Sequence, residues 1–195
     1  MPTLQTIVGS TRPGRIGSKV AGWFVDQARA HGGFDVELIE LADLALPMFD
    51  EPHHPKLRNY QHEHTRRWSA LVAGADAFAV VLPEYNHSLP PALVNALDYL
   101  VVEWAYAPVG IVSYGGVSGG IRAAQILKPV LTGLRAPVVP EAVILPFVER
   151  MLDAKGQFDP GENQGRMARG MLDELGRWTG ALAGLRAEAR AKLAS

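Results

Sequence analysis

The run Ala77–Leu82, Ala-Phe-Ala-Val-Val-Leu, is apolar at every position and constrains the fold more than any other segment. A strand with one face in water alternates apolar and polar side chains, so an uninterrupted apolar run indicates a strand covered on both faces. Such strands belong to parallel sheets, whose crossover connections are helices. The run therefore predicts a central strand of an α/β fold.

The rest of the chain alternates short β-rich runs with helical periodicity and predicts one α/β domain over residues 1–195. Five parallel strands are predicted, at Leu4–Val8, Phe34–Leu38, Ala77–Leu82, Val109–Ser113 and Val138–Ile144. The predicted helices are Ser18–Ala30, Leu57–Ala73, Pro90–Glu103, Ile121–Leu134 and a C-terminal helical region, Glu162–Leu193, that its glycines break or kink. Right-handed crossovers then give a three-layer sandwich.

Composition removes several functional classes. The chain has no cysteine, which excludes disulfides, thiolate metal sites and cysteine nucleophiles, so redox chemistry would need an organic cofactor. Lys and Arg number 19 against 20 Asp and Glu, so no electrostatic footprint for nucleic acid or acidic lipid is expected. The N-terminal residues resemble neither a signal peptide nor a membrane span. We expect a cytoplasmic enzyme with no membrane or nucleic-acid partner.

The first informative loop, residues 9–17, follows the first predicted strand and reads Gly-Ser-Thr-Arg-Pro-Gly-Arg-Ile-Gly. Ligands of open parallel sheets bind at the carboxyl ends of the strands, where the strand order reverses. Ser10, Thr11, Arg12 and Arg15 place hydroxyl and guanidinium donors at the start of a helix, whose N-terminal amides favour anions. The loop is therefore a candidate phosphate site, with a merely flexible turn as the alternative.

Two common nucleotide motifs do not match this first loop. Gly9 and Gly14 have the spacing of a P-loop, yet Arg15 and Ile16 stand where that motif needs Lys and Ser or Thr. Thr11 occupies the second glycine of the dinucleotide fingerprint, where a pyrophosphate approaches the backbone. A terminal monophosphate fits better, and flavin mononucleotide (FMN) is the common cofactor of that kind in sheets of strand order 2-1-3-4-5.

The second loop, residues 83–91, follows the central strand and reads Pro-Glu-Tyr-Asn-His-Ser-Leu-Pro-Pro. Prolines at both ends stiffen it, and its amides and carbonyls suit the polar edge of a flavin, with Tyr85 against the ring face. The alternatives are an aromatic lid on the core for Tyr85 and a solvated loop charge for Glu84. Spacing alone leaves both open.

The third loop, residues 113–120, contains Gly116-Val117-Ser118-Gly119-Gly120, which matches the Gly-x-Ser-x-Gly elbow of hydrolases. That fold places its catalytic histidine after the serine, whereas the last histidine of this chain is His87. Hydrolysis is therefore disfavoured. The glycines are better explained by close approach of a flat ring to the backbone.

Four histidines, His53, His54, His62 and His64, cluster after the acidic, proline-broken segment Asp50-Glu51-Pro52. Their spacing matches no zinc signature, because His62 and His64 are not one helical turn apart. We expect a surface or interface role and no metal.

Three segments in order, Ile7–Gly17, Leu82–Leu100 and Val112–Ala123, resemble the NADPH-dependent FMN reductase family of flavodoxin-like proteins. The resemblance covers about residues 3–150, and the Pro-Glu-Tyr-Asn sequence of the second loop is its most specific part. It implies FMN and NADPH as cofactors. One departure is Val94, which stands where family members often have lysine.

The resemblance also implies roles for particular residues. Those expected to cradle the FMN phosphate are Ser10, Arg12, Arg15, Ile16 and Gly17, with the neighbouring Thr11 hydroxyl as a further candidate. Those expected to border the isoalloxazine ring are Pro83, Glu84, Tyr85 and Asn86, with Ser113, Tyr114, Gly115 and Gly116 on its other side.

The expected activity is hydride transfer from NAD(P)H through FMN to a small oxidised acceptor, such as a quinone, azo compound, metal oxyanion or flavin, in a ping-pong cycle. The sequence does not name the acceptor, and the preference for NADPH rests on the resemblance alone. The alternatives are a flavodoxin-type electron carrier and a regulatory domain that has lost the cofactor.

The helix predicted over Pro90–Glu103 is apolar around most of its circumference, with Val94, Tyr99 and Val102 outside the stripe that faces the sheet. Trp104 and Tyr106 follow it. This pattern, like the resemblance, predicts a homodimer through this helix, and the sequence leaves dimer versus tetramer open. Burial of the helix by the C-terminal region is the alternative.

Overall fold

The computed structural model describes residues 1–194 and contains a five-stranded, fully parallel sheet. The strands lie in the order β2-β1-β3-β4-β5, which confirms the predicted fold and its strand order. Their bounds are β1 Thr3–Val8, β2 Asp35–Glu40, β3 Ala77–Pro83, β4 Val109–Tyr114 and β5 Val138–Leu145.

Strand β3 is the central strand that its composition predicts. All of its residues are buried, and it pairs with β1 on one side and β4 on the other, so that Val81 lies between Val8 and Val112. The loops that follow β1, β3 and β4 consequently meet at one edge of the sheet. This edge includes the point where the strand order reverses, between β1 and β3.

Within residues 1–194, six α-helices cover the two faces of the sheet: α1 Gly17–His31, α2 Leu41–Leu44, α3 Glu63–Gly74, α4 Pro91–Asp98, α5 Ile121–Gly133 and α6 Glu162–Ala194. One apolar core contains Trp68, Leu97 and Leu127 from α3, α4 and α5. The other contains Phe24 from α1 and Leu172 from α6. The molecule is therefore a three-layer sandwich.

The helix predicted over Leu57–Ala73 was placed too early, because α3 begins only at Glu63. A single 3-10 turn, Pro55–Leu57, ends at Arg58 in a left-handed conformation (φ 53°), which interrupts the helix. The buried carboxylate of Glu51 then accepts hydrogen bonds from the backbone N–H groups of Gln61 at 2.7 Å and His62 at 3.0 Å. These bonds hold the backbone just before the helix.

Helix α4 is shorter than the predicted Pro90–Glu103 and ends at Asp98. Its apolar surface is largely covered within the chain: Tyr99 and Trp104 are buried, and Val94 and Val102 are half-buried. The Tyr99 hydroxyl donates to the Asp50 carboxylate at 3.0 Å, in the segment that precedes α3. The apolarity that predicted a dimer is thus satisfied in large part by the chain's own packing.

The C-terminal helix is not broken by its glycines, contrary to the prediction, and α6 runs unbroken from Glu162 to Ala194. Its first half packs Met171 and Leu175 on the sheet. Its second half is held by Arg186, whose buried guanidinium donates to four backbone carbonyls of other elements. Tertiary contacts thus offset the helix-weakening effect of glycine. None of the helices in residues 1–194 has both the length and the apolarity that a membrane crossing requires.

Candidate active site

A cavity of about 600 Å³ opens at the carboxyl ends of β1, β3 and β4. Its walls come from the first, second and third loops and from the segment after β5. The volume is within the range of ordinary cofactor sites. The three loops singled out by sequence analysis are therefore brought together around one space.

The first loop contributes Arg12, Arg15 and Ile16 to this cavity, together with Gly14. Arg15 is held by Glu40 at the end of β2, since its Nε and Nη2 atoms donate to Glu40 Oε2 at 3.2 and 2.7 Å. The exposed Arg12 guanidinium, by contrast, has no hydrogen-bond or ion-pair partner within residues 1–194. Arg12 is therefore the cation of this loop that is available to an anion.

Three predicted residues of the first loop do not line the cavity. Ser10 is fully buried, and its Oγ lies 2.6 Å from the Tyr85 hydroxyl. Thr11 borders a neighbouring depression instead. Gly17 begins α1 so close to Tyr114 that a Cβ atom there would lie 2.5 Å from the Tyr114 hydroxyl. Gly17 thus permits the close packing of α1 against β4. No side chain caps the N-terminus of α1, which leaves its first amides to an external acceptor.

The second loop contributes Pro83, Glu84 and Tyr85. Beyond them the chain makes a tight turn in which Tyr85 and Ser88 exchange backbone hydrogen bonds of 3.0 and 2.9 Å. Asn86 and His87 form the corner with φ values of 50° and 64°, a left-handed pair that glycine usually occupies. Asn86 is exposed and does not line the cavity.

Glu84 does not extend into solvent as a free loop charge. Its carboxylate accepts hydrogen bonds from Ser118 Oγ and from the backbone and side chain of Arg122, and its side chain is 7% exposed. Burial alone raises the pKa of Glu84, but the bonds from Arg122 and Ser118 outweigh it and hold that pKa below its ordinary value. The same contact places the Ser118 hydroxyl on a carboxylate rather than on a histidine, so the hydrolase motif lacks its base.

The third loop contributes Tyr114, Gly115 and Gly116. Burial raises the pKa of the Tyr114 hydroxyl, which stays protonated at neutral pH. Ser113 is placed elsewhere: it is fully buried in β4, away from the cavity, and its Oγ has no hydrogen-bond partner among the described residues.

A fourth wall, residues 147–150, was missed by sequence reasoning. Phe147 N donates to Gly116 O at 2.9 Å and Val148 N to Gly115 O at 3.1 Å, so this wall is attached to the third loop. Phe147 is 43% exposed and left-handed (φ 50°), with the Arg150 guanidinium 4.6 Å from its ring centre. No motif marks this segment. The pairing of β5 with β4, which brings their following loops together, was the available signal.

The residues present fit a flavin mononucleotide. A Cβ atom built on Gly14 or on Gly116 would meet no protein atom within 4 Å, so each glycine leaves open space at the cavity wall. Arg12 and the uncapped start of α1 supply donors for a phosphate. The glycine backbone of the third loop and the Tyr85 side chain supply walls for a flat ring.

The histidine cluster is a separate feature. His64 Nε2 lies 3.1 Å from Asp50 Oδ1, His62 stacks on His64 with ring centres 5.1 Å apart, and the Tyr99 hydroxyl reaches both Asp50 and His64. No group of three or more histidine or acidic side chains in the described part of the chain is arranged to hold a metal ion. The contacts attach the segment around Asp50 to α3 and α4.

Comparison with known proteins agrees with this geometry. The NADPH-dependent FMN reductase family model matches residues 2–150. An NAD(P)H-dependent FMN reductase of Schizosaccharomyces pombe is 38% identical over 181 residues, 89% of this chain and 90% of its own length. An NAD(P)H-dependent FMN reductase of a Nectria species is 36% identical over 153 residues, 75% of this chain and 76% of its own length.

Among solved structures, FerB, an NAD(P)H:(acceptor) oxidoreductase from Paracoccus denitrificans, superposes with a TM-score of 0.72. The match covers 93% of this chain and 98% of FerB at 23% sequence identity, and it concerns the fold. The family model, by contrast, spans the three loops that form the cavity. This chain belongs to the NADPH-dependent FMN reductase family.

Proposed function

We propose that this chain is an FMN-dependent oxidoreductase that passes hydride from NADPH to a small oxidised acceptor. The observation that carries the proposal is the single cavity shared by an unpaired arginine, the start of α1 and two glycine-containing loops at the strand-order reversal. This arrangement offers a phosphate site and a ring site in one space.

The protein's part in the reaction is binding, orientation and exclusion of water. Arg12 and the first amides of α1 hold the phosphate group. Pro83, Tyr85 and the backbone of Gly115 and Gly116 enclose the ring. Bound FMN supplies the hydride chemistry, so no acid–base pair is required of the side chains.

The walls of the cavity also indicate which class of acceptor suits it. The cavity walls combine aromatic side chains with glycine backbone. Flat, conjugated acceptors such as quinones, azo compounds and free flavin suit a space that must also receive a nicotinamide ring.

The test is an absorbance titration of the purified protein with FMN, followed by anaerobic addition of NADPH or NADH. We expect a bound flavin that NADPH bleaches, and steady oxidation of NADPH when a quinone or ferricyanide is added. Absence of FMN binding contradicts the proposal. Binding without turnover favours the electron-carrier alternative.

We also propose that the chain acts in the cytoplasm, where its reductant is found, and as a homodimer through α4. The homodimer is supported by Val94, which is half-buried in the chain alone, and by Met48 and Phe49, which are 77% and 39% exposed. Phe49 is attached to α4 because its N–H donates to Asn95 Oδ1 at 2.8 Å. Light scattering at micromolar concentration distinguishes monomer, dimer and tetramer, and a monomer contradicts this part.

A further inference from the structure

The carboxylate of Glu84 connects the second loop of the site to the third. Oε2 accepts hydrogen bonds from Ser118 Oγ at 2.9 Å and from the Arg122 backbone N–H at 3.2 Å, while Oε1 accepts from Arg122 Nε at 2.6 Å. Both carboxylate oxygens are thus taken up by protein donors. We name these three residues, Glu84, Ser118 and Arg122, the Glu84 brace.

The two ends of the brace lie next to the cavity walls. Glu84 lines the cavity together with its neighbours Pro83 and Tyr85, and Ser118 is two residues beyond Gly116. Charge-assisted hydrogen bonds are strong and directional, so they fix the distance between the segments that they join. The position of the Glu84 carboxylate therefore sets the separation of two loops that are far apart in sequence.

The turn beside the brace is strained, which makes such support necessary. Asn86 and His87 hold left-handed conformations without a glycine, and conformations of this kind persist only where the surroundings enforce them. On one side, Tyr85 and Ser88 exchange backbone hydrogen bonds. On the other side, the brace holds Glu84, the residue immediately before the turn.

We propose that Glu84 is a positioning residue: through Ser118 and Arg122, whose donors occupy both of its carboxylate oxygens, it sets the spacing between the two loops that receive the isoalloxazine ring. This inference rests on the proposed function. It gives Glu84, a cavity-lining residue, a role that its carboxylate exerts through Arg122 and Ser118.

A double-mutant cycle on Glu84→Gln and Arg122→Gln tests the brace. Each single variant is expected to raise the Kd of FMN about tenfold relative to wild type. The double variant is also expected to raise it only about tenfold relative to wild type, and not about a hundredfold, because both substitutions break the same interaction. Effects that multiply would show that Glu84 acts on the flavin independently of Arg122, and would overturn the proposal. Arg122→Lys, which keeps the charge, is expected to recover part of the affinity.

Riboflavin, which lacks the phosphate, separates a local effect from general loosening. Because the brace acts on the ring loops, Glu84→Gln should raise the Kd values of FMN and riboflavin by the same factor, measured by quenching of flavin fluorescence. A larger loss for FMN would mean that the first loop had also been disturbed, and would contradict the proposal. Glu141→Gln, at an exposed carboxylate of β5, is the matched control and should change neither Kd.

The outcomes separate the two proposals. If the wild-type protein binds neither flavin, the proposed function fails and the brace fails with it. If wild type binds FMN and Glu84→Gln binds it equally well, only the brace is wrong. Should Glu84→Gln fail to fold, Arg122→Gln still decides the question, because the Arg122 side chain is 45% exposed and can be replaced without disturbing the core.

Discussion

The hydroxyl of Tyr85 lies 2.6 Å from Oγ of Ser10, so the loop expected to receive the flavin ring is bonded to the loop expected to receive its phosphate. Ser10 Oγ also accepts the backbone N–H of Arg12 at 3.3 Å. With the Glu84 brace, this bond joins the second loop to both of its neighbours. The chain's own hydrogen bonds therefore hold the three loops of the site together.

Replacing Tyr85 by Phe tests this connection. The ring remains while the hydroxyl is lost, so we expect the free energy of unfolding to fall by about 1 kcal/mol, the usual worth of one hydrogen bond. The Kd of FMN should rise about fivefold, since the two loops are no longer held together. Thermal unfolding and fluorescence quenching measure the two effects. Tyr106→Phe is the control, because the Tyr106 hydroxyl bonds to no described residue.

Arg12 is expected to discriminate between FMN and riboflavin. Arg12→Gln removes the one guanidinium of the first loop that no carboxylate holds, and should raise the Kd of FMN about tenfold while leaving that of riboflavin unchanged. Arg15→Gln should cost less FMN affinity, because Glu40 already occupies that side chain. Arg29→Gln, at the opposite end of α1, is the control. Equal losses of both flavins would remove the phosphate assignment.

Two glycines of the third loop should respond in opposite ways to alanine. A Cβ atom on Gly116 meets no protein atom, so Gly116→Ala should keep the wild-type stability within about 0.5 kcal/mol yet raise the Kd of FMN at least tenfold, or about 1.4 kcal/mol. Gly120 has φ 84° and a Cβ there would lie 2.8 Å from Tyr114 N and O. Gly120→Ala should therefore destabilise the fold by about 3 kcal/mol. Unchanged FMN affinity in Gly116→Ala would place the ring elsewhere.

Replacing Arg186 should lower the stability of the fold without changing the affinity for FMN. Burial, followed by the neighbouring Arg190 charge, lowers the pKa of Arg186 to about 10, so it remains charged at neutral pH. Arg186→Met leaves the carbonyls of Val72, Ala75 and Glu103 without this donor and should cost about 3 kcal/mol, or about 10 °C in Tm. FMN affinity at low temperature should be unchanged. Arg177→Met, an exposed position on the same helix, is the control.

The Glu84 brace also predicts a pH dependence. The hydrogen bonds of Glu84 keep its pKa below the ordinary 4.5, so the carboxylate contributes stability that is complete above that value and is lost as the pH falls through the lowered pKa. Riboflavin affinity should therefore be constant from neutral pH down to about pH 5 and decrease only below pH 4.5. Riboflavin is the suitable probe because it carries no phosphate that titrates. A loss of affinity already near pH 6 would mean that another group controls the ring site.

Much of the architecture was readable from local pattern. The uninterrupted apolar run of β3 required two covering layers, and the three loops after β1, β3 and β4 carried glycine, proline and arginine in arrangements that suit a ligand. Element bounds failed where a long-range contact decides them. Helix α3 begins only at Glu63, after His62, whose backbone N–H is bonded to the carboxylate of Glu51, a residue earlier in the chain. Helix α6 continues through its glycines, and hydrogen bonds from Arg186 attach it to another layer.

By itself, the sequence determined the layer order of the fold and the loops in which a flavin phosphate and ring would be sought, because periodicity and backbone chemistry are local properties. The tertiary structure alone decided which side chains are available in those loops. In the folded chain, Arg15 pairs with Glu40, whereas the Arg12 side chain has no partner among the described residues. Ser113 is buried away from the cavity, and the Glu84 carboxylate accepts a hydrogen bond from Arg122. Phe147 forms part of a further wall of the cavity. The physical reason is that each hydrogen bond or ion pair needs a partner from another part of the fold. The distance in space between two such partners cannot be read from their spacing along the chain.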